Sequence, residues 1–190
     1  MERNFVTIVS GLPRSGTSMM MRMIDEGGIP ALTDNIRKPD VDNPKGYYEF
    51  EPVKKTKQDP SWLQQAPGKV VKMVHLLLLD LPKSGYEYRV IFMRRRLEEV
   101  IKSQNVMLEH KGKANQTLRD DQVMALFRQQ IKEVCEYMDA NPQFKYLEVD
   151  YNQLLADPTP WVKSVSEFLG GLDTAKMLEV VDPSLYRQRV

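Results

Sequence analysis

Short apolar runs alternate along this chain with longer stretches of helical periodicity. The runs are rich in β-branched and aromatic residues, which is typical of buried strands, and they cover approximately residues 5–9, 69–74, 88–93 and 146–150. Helical patterns follow at approximately residues 17–26, 97–108 and 118–139 and from residue 158 onwards. Strands that alternate with helices predict an α/β fold, a three-layer αβα arrangement whose mainly parallel sheet is covered on both faces.

One segment of the chain shows no periodicity. Residues 29–48 contain three prolines and several Asp and Asn residues, so they predict a long irregular excursion. Long irregular segments inside compact domains are usually functional or disordered. The chain has 190 residues, enough for one buried core but short for two. We therefore interpret residues 1–190 as a single domain, in which residues 29–68 form the wall of an acceptor-substrate site.

Composition excludes several classes of protein. The chain has 27 Lys and Arg against 26 Asp and Glu, a net charge of +1, so no global basic field indicates a nucleic-acid partner. The longest apolar segment, residues 70–81, is too short and too polar to span a membrane. A single cysteine, Cys135, fits a reducing compartment, and the N-terminus does not resemble a signal peptide. We expect a cytoplasmic protein.

The first strand leads through a glycine-containing loop into the first helix. In this arrangement backbone N–H groups and the positive end of the helix dipole converge on an anion. Gly11 and Gly16 have the spacing of a P-loop, and Ser18 occupies its Ser/Thr position. Thr17 stands where a nucleotide kinase has lysine, and Arg14 supplies a cation from within the loop instead.

The loop Pro13-Arg14-Ser15-Gly16-Thr17-Ser18 resembles the 5′-phosphosulfate loop of the PAPS-dependent sulfotransferases, Pro-Lys/Arg-Ser-Gly-Thr-Thr/Ser. PAPS is 3′-phosphoadenosine 5′-phosphosulfate. The resemblance, to the small bacterial type, implies a P-loop NTPase-like fold and PAPS as co-substrate, held by all six residues of this loop. It also implies that no metal ion is needed, because a sulfuryl group carries less charge than a γ-phosphate.

A second anion site is predicted where the third strand meets the following helix. Three arginines, residues 94–96, lie there although cations at a helix N-terminus oppose its dipole, and carboxyl ends of parallel strands bind ligands. In the sulfotransferases that this chain resembles, an Arg at such a strand end and a Ser eight residues later bind the 3′-phosphate. Arg95 and Ser103 have that spacing, which implies a ligand with two separate phosphate groups.

Two further stretches are similar to sulfotransferases. Lys72, His75 and Leu81-Pro82 resemble a Lys-x-His…Leu-Pro strand, although His75 lies one position late, and residues 147–158 resemble a late strand–turn–helix. A C-terminal Arg-Lys-Gly loop is not found in the sequence. Arg187 and Arg189 are candidates to replace its cations.

The resemblance implies that sulfuryl transfer depends on alignment and charge stabilisation. We expect Arg14, Thr17 and Ser18 to stabilise the negative charge that grows on the 5′-phosphate. Lys72 is expected to supply a further cation at the transferring group. The acceptor needs a general base. Glu49, in the acceptor-side excursion, and His75 are the two candidates; we favour Glu49, because a one-residue offset on a strand moves a side chain to the opposite face.

Two other functions stay open from the sequence alone. Leu76–Asp80 formally resembles a Walker B strand, as in a P-loop nucleotide or small-molecule kinase that uses Mg-ATP, although the loop lysine is missing. A non-catalytic anion-binding relative is the second alternative. The acceptor is expected to be a small molecule or a carbohydrate, and the sequence determines neither its identity nor the oligomeric state.

Overall fold

Four parallel strands form the sheet at the centre of the protein, in the spatial order β2-β1-β3-β4. In chain order they are β1 (Val6–Gly11), β2 (Val70–Val74), β3 (Tyr88–Arg94) and β4 (Phe144–Asp150). The computed structural model describes residues 5–34, 36–40, 43, 45–110, 112 and 118–182. Each strand overlaps one of the predicted apolar runs, so the expected parallel sheet is confirmed. Arg187 and Arg189 lie outside the described residues.

Helices follow the strands in the order that the periodicity predicts. Over the described residues they are α1 (Thr17–Glu26), α2 (Leu97–His110), α3 (Asp120–Ala140), α4 (Tyr151–Ala156), α5 (Pro158–Phe168) and α6 (Thr174–Glu179). Helix α4 is absent from the sequence prediction, because six residues are too short to display a helical period. Within this part of the chain no helix is long and apolar enough to cross a membrane.

Apolar side chains alternate between the two faces of the sheet, and each face has its own core. Ile8, Val90 and Phe92 pack with α2 and α3 on one face. Val9, Ile91 and Met93 pack on the other face with α1, α4, α5 and α6. The fully buried methionines of α1 belong to this second core: Met20, Met21 and Met23. The three-layer αβα architecture is thus confirmed, with helices on both faces because both faces are apolar.

The register of the strands brings their carboxyl ends to one edge of the sheet. Gly11 at the end of β1 pairs with Val74 of β2 and with Met93 of β3. Arg94 of β3 pairs with Asp150 of β4. The segments that follow the four strands therefore start next to one another. Their first residues are Leu12, His75, Arg95 and Tyr151.

The excursion over residues 29–68 has little regular structure. Among the described residues of its first part, the structure has isolated bridges, one of which joins Ala31 to Val70 at the edge of the sheet. Two 3₁₀ helices follow, Glu51–Lys55 and Ser61–Gln65. Trp62 is buried, and its Nε1 donates to Thr56 Oγ1 at 3.0 Å, so the second part is fixed to the core. A third 3₁₀ helix, His75–Asp80, follows β2 directly.

Candidate active site

The loop between β1 and α1 has a backbone conformation that few sequences allow. Gly11 has a φ of 145° and Gly16 a φ of 94°, both in the region that favours glycine. Arg14 also has a positive φ, 71°, which is unusual for a residue with a Cβ. Ser15 is buried, and its Oγ donates to the Leu12 carbonyl at 2.7 Å, so it closes the loop from inside.

Gly16 is also required for a close approach. A Cβ at this position would lie 2.3 Å from Cδ2 of Tyr151, the first residue of α4. The aromatic ring therefore packs directly against the loop where α1 begins. This contact joins the phosphate-type loop to the residue that follows β4.

A cavity of about 430 Å³ opens at this edge of the sheet. Every site residue predicted from the sequence lines it except Ser15 and His75: Pro13, Arg14, Gly16, Thr17, Ser18, Glu49, Lys72, Arg95 and Ser103. The walls also include Arg22, Arg37, Lys45 and Tyr151. In a chain with a net charge of +1, cations are thus concentrated around one cavity.

The two predicted phosphate sites adjoin each other. Arg14 Nε donates to Ser103 Oγ at 3.0 Å, which connects the loop to α2. Arg95 Nη1 donates to the Arg14 carbonyl at 3.0 Å, and Arg95 Nε pairs with Glu99 at 2.9 Å. Hydrogen bonds therefore connect the loop, the end of β3 and helix α2.

Lys72 extends from β2 toward the N-terminus of α1. Its Nζ contacts Ser18 Oγ at 3.3 Å and the Tyr47 carbonyl. Burial lowers the pKa of Lys72 to about 8; Glu49 opposes this shift, whereas Arg37 and Arg14 add to it. An anion bound beside Ser18 would favour the charged amine, because it would supply the opposite charge that the buried amine lacks.

Glu49 lies in a network of cations on the excursion side of the cavity. Its Oε1 accepts from Arg37 Nη1 at 2.6 Å, and Lys54 Nζ lies 3.5 Å from Oε2. The Arg37 guanidinium stacks 3.3 Å above the ring of Tyr47. Burial, and then a hydrogen bond to Asp40, raise the pKa of Tyr47 to about 12, so its hydroxyl stays protonated.

His75 lies away from the cavity. It is 3% exposed, begins the 3₁₀ helix after β2, and its Nε2 lies 3.1 Å from the side-chain oxygen of Gln130 in α3. Burial lowers the pKa of His75, while contacts with Gln130 and the Gly11 backbone act in the opposite sense. The one-residue offset noted in the sequence thus coincides with a side chain directed at α3.

Asp80, the residue proposed for a Walker B strand, ends the 3₁₀ helix that packs against α3. It is not on a strand and does not line the cavity. Its negative charge acts instead on Tyr137 of α3, whose pKa it helps to raise, after burial as the main cause. Among the described residues, no group of three or more His, Cys, Asp or Glu side chains is arranged to hold a metal ion.

Some residues of the cavity were not identified from the sequence as part of a site. Arg37 and Tyr151 are among its walls. The sequence placed Arg37 only in the excursion as a whole, and Tyr151 only between the fourth strand and the helix that begins near residue 158. The position of Tyr151 directly after a parallel strand was the available signal, because strand ends form ligand sites. Arg37 carried no comparable signal.

The family model described as "Sulfotransferase domain" matches residues 6–184. The chain therefore belongs to the sulfotransferase family, and the resemblance inferred from its motifs is confirmed. None of the curated proteins matches the chain.

Two solved structures share the fold. The sulfotransferase domain from the curacin biosynthetic pathway is 14% identical, with a TM-score of 0.58 over 96% of this chain and 79% of that one. The sulfotransferase domain from the olefin synthase of Synechococcus PCC 7002 is also 14% identical, with a TM-score of 0.55 over 100% of this chain and 89% of that one. At this identity the likeness concerns the fold.

The contact between Gly16 and Tyr151 leads to a first prediction. Gly16→Ala and Gly171→Ala impose almost the same backbone strain, because φ is 94° and 93°, but only the first puts a Cβ against the ring. We expect Gly171→Ala to cost about 1–2 kcal/mol and Gly16→Ala roughly 1–3 kcal/mol more, from overpacking. Urea unfolding of both variants measures the difference, and equal losses would show that Tyr151 moves aside without cost.

Proposed function

We propose that this protein transfers a sulfuryl group from PAPS to a hydroxyl or amine of an acceptor, by in-line displacement assisted by a general base. The observation that carries this proposal is the convergence of Arg14, Ser18, Lys72 and Arg95 on one cavity at the strand ends. Membership of the sulfotransferase family supports the reaction class. The single-domain organisation and the cytoplasmic location stay predictions from the sequence.

The residues of the cavity fit a ligand with two anionic ends. The loop amides, Arg14 and the Thr17 and Ser18 hydroxyls suit a 5′-phosphosulfate at the positive end of α1. Arg95 and Ser103 suit the 3′-phosphate, and a cavity of about 430 Å³ has the size of a typical small-molecule site. Adenosine 3′,5′-bisphosphate, the product of the reaction, shares both anionic ends and is the natural probe.

In the proposed reaction, the acceptor oxygen or nitrogen forms a bond to sulfur while the bond from sulfur to the 5′-phosphate oxygen breaks. Negative charge grows on that phosphate oxygen, and Arg14 and Lys72 stabilise it electrostatically. The acceptor gives its proton to Glu49 as the new bond forms. We assign the proton to Oε2, because Arg37 engages Oε1 at 2.6 Å whereas Lys54 lies 3.5 Å from Oε2.

The excursion forms the acceptor side of the cavity in this proposal. It contributes Glu49, Arg37 and Lys45 to the walls, and the Tyr47 carbonyl accepts from Ser18 Oγ at 3.3 Å. Trp62 is fully packed in the core, which leaves it unavailable for stacking on an acceptor, and Tyr47 is 4% exposed. Small molecules and carbohydrates are both compatible acceptors.

The nucleotide preference is the first test. We expect adenosine 3′,5′-bisphosphate to raise the thermal stability without a metal ion, by about 2.7 kcal/mol at 100 times its Kd. Differential scanning fluorimetry with the bisphosphate, and in parallel with ATP plus Mg²⁺, measures this. Stabilisation by Mg-ATP alone would overturn the proposal and favour a nucleotide kinase.

The assignment of the base is tested by two matched variants. Glu49→Gln is expected to lower kcat by about 10²–10⁴-fold, since it removes a general base, while the affinity for the bisphosphate is retained. Release of the bisphosphate from PAPS is followed with an acceptor found in a panel of phenols, alcohols and amines. If His75→Asn lowers kcat in this way and Glu49→Gln does not, the role belongs to His75. If both variants keep the kcat of the parent protein, neither Glu49 nor His75 is the general base.

The lowered pKa of Lys72 predicts a pH dependence. The amine is charged below pH 8 and neutral above it, so its attraction for the 5′-phosphate is present below about pH 8 and is lost as pH rises through that value. We expect the affinity for the bisphosphate to begin to fall between pH 7 and 8 and to be clearly weaker at pH 9, because about half of the amine is already neutral at pH 8. Calorimetric titration measures the effect, and Lys72→Arg is the control, because arginine stays charged throughout. A flat profile for the parent protein would contradict a role for Lys72 at the phosphate.

A further inference from the structure

A fully buried carboxylate lies beside the cavity, in helix α2. Glu99 has no exposed surface, and its Oε2 accepts from Arg95 Nε at 2.9 Å. The side chain of Arg95 is itself only 7% exposed. Arg95 lies between β3 and α2, and Glu99 lies in the first turn of α2. Their burial distinguishes the pair from an ordinary surface ion pair.

Asn152 of helix α4 holds Glu99 from the opposite side. Its Nδ2 donates to both carboxylate oxygens, at 3.0 and 3.1 Å. Its Oδ1 accepts from the backbone N–H of Arg96 at 3.2 Å. One amide side chain thus connects α4 with the start of α2 and fixes the orientation of the Glu99 carboxylate.

The other side of Arg95 faces the phosphate-type loop. Arg95 Nη1 donates to the Arg14 carbonyl at 3.0 Å, and its guanidinium lies 4.8 Å from the centre of the Tyr151 ring. A planar guanidinium held at Nε, at Nη1 and by an aromatic ring has a single orientation. Arg95 nevertheless lines the cavity, so this orientation determines how the cation meets a bound anion.

Stability alone does not account for this arrangement. A buried ion pair loses the hydration of both charges, and apolar side chains of similar volume are often as stable or more stable. The cation also stands at the N-terminal end of α2, where the helix dipole disfavours it. A buried anion that holds an arginine at this point is better explained by the need to position that arginine.

We propose that Glu99, oriented by Asn152, is the positioning residue that sets the guanidinium of Arg95 to recognise the 3′-phosphate, and so determines selectivity for 3′-phosphorylated nucleotides. This inference rests on the proposed function, in which Arg95 binds the 3′-phosphate. Glu99 itself contacts Arg95 and Asn152 and acts on the nucleotide through Arg95.

The test compares two ligands that differ only in the 3′-phosphate, adenosine 3′,5′-bisphosphate and adenosine 5′-monophosphate. Glu99→Gln keeps the shape of the side chain and removes its charge. We expect the preference for the bisphosphate, the ratio of the two Kd values measured by calorimetry, to fall about tenfold or more, as for a lost charge-assisted hydrogen bond. Glu98→Gln, an exposed neighbour in the same helix, is the matched control and is expected to keep the ratio.

Asn152→Ala tests the positioning role of Glu99 by removing the side chain that orients its carboxylate. The variant leaves both charges of the Arg95–Glu99 pair in place, so it is the alternative test if the Glu99→Gln variant does not fold. We expect a smaller fall in the ratio, roughly threefold to tenfold. Because Glu99 acts through Arg95, adding Glu99→Gln to Arg95→Gln should change the ratio no further, which a double-mutant cycle measures.

The outcomes separate this inference from the proposed function. If the parent protein does not bind the bisphosphate, or binds it no better than the monophosphate, the two-phosphate assignment is wrong and the inference is wrong with it. If the parent protein prefers the bisphosphate, and Glu99→Gln weakens both ligands equally or neither, only the role of Glu99 is refuted. A further loss of selectivity in the Arg95→Gln background would also refute it, because Glu99 would then act independently of Arg95.

Discussion

The aligned carboxyl ends of the parallel sheet are the constraint on which the site depends. Because Gly11 pairs with both Val74 and Met93, and Arg94 pairs with Asp150, the loop, Arg95 and Tyr151 all begin at one edge. A shift of one residue in any pair would turn the side chains of that strand to the opposite face. The buried pattern of β1, in which every residue is inaccessible, prevents such a shift, since both faces are already packed by apolar neighbours.

Electrostatics then distinguishes this edge from the rest of an almost neutral molecule. Burial lowers the pKa of Lys72 and so disfavours its charge, and the side chain of Arg95 is buried beside the carboxylate of Glu99. Removing one partner of such a pair typically costs about 3–5 kcal/mol, because the other charge remains buried. Buried cations at one edge of a nearly neutral molecule are typical of a functional site, which is consistent with the proposed function.

Much of the site was accessible from local sequence. The glycine spacing of the loop, the interval from Arg95 to Ser103 and the strand–helix alternation all describe residues that are close together in the chain. The four strands and helices α1, α2, α3 and α5 lie where the patterns indicated. Glu99 and Asn152 were not identified, because a carboxylate four residues after an arginine looks like a surface ion pair on any helix. Only the tertiary structure shows that Glu99 is buried and that Asn152 of α4, 53 positions away in the chain, donates to its carboxylate.

The sequence by itself thus determined the order of the main elements, the family and the glycine-containing loop between β1 and α1, because these depend on short-range periodicity, on glycine conformations and on residue spacing. Tertiary structure decided which of two base candidates faces the cavity. Glu49 reaches it from an irregular excursion, whereas His75 packs against Gln130 of α3. The direction of a side chain at a strand end, and the burial of a charge, depend on packing between elements far apart in the chain, and no local pattern encodes them.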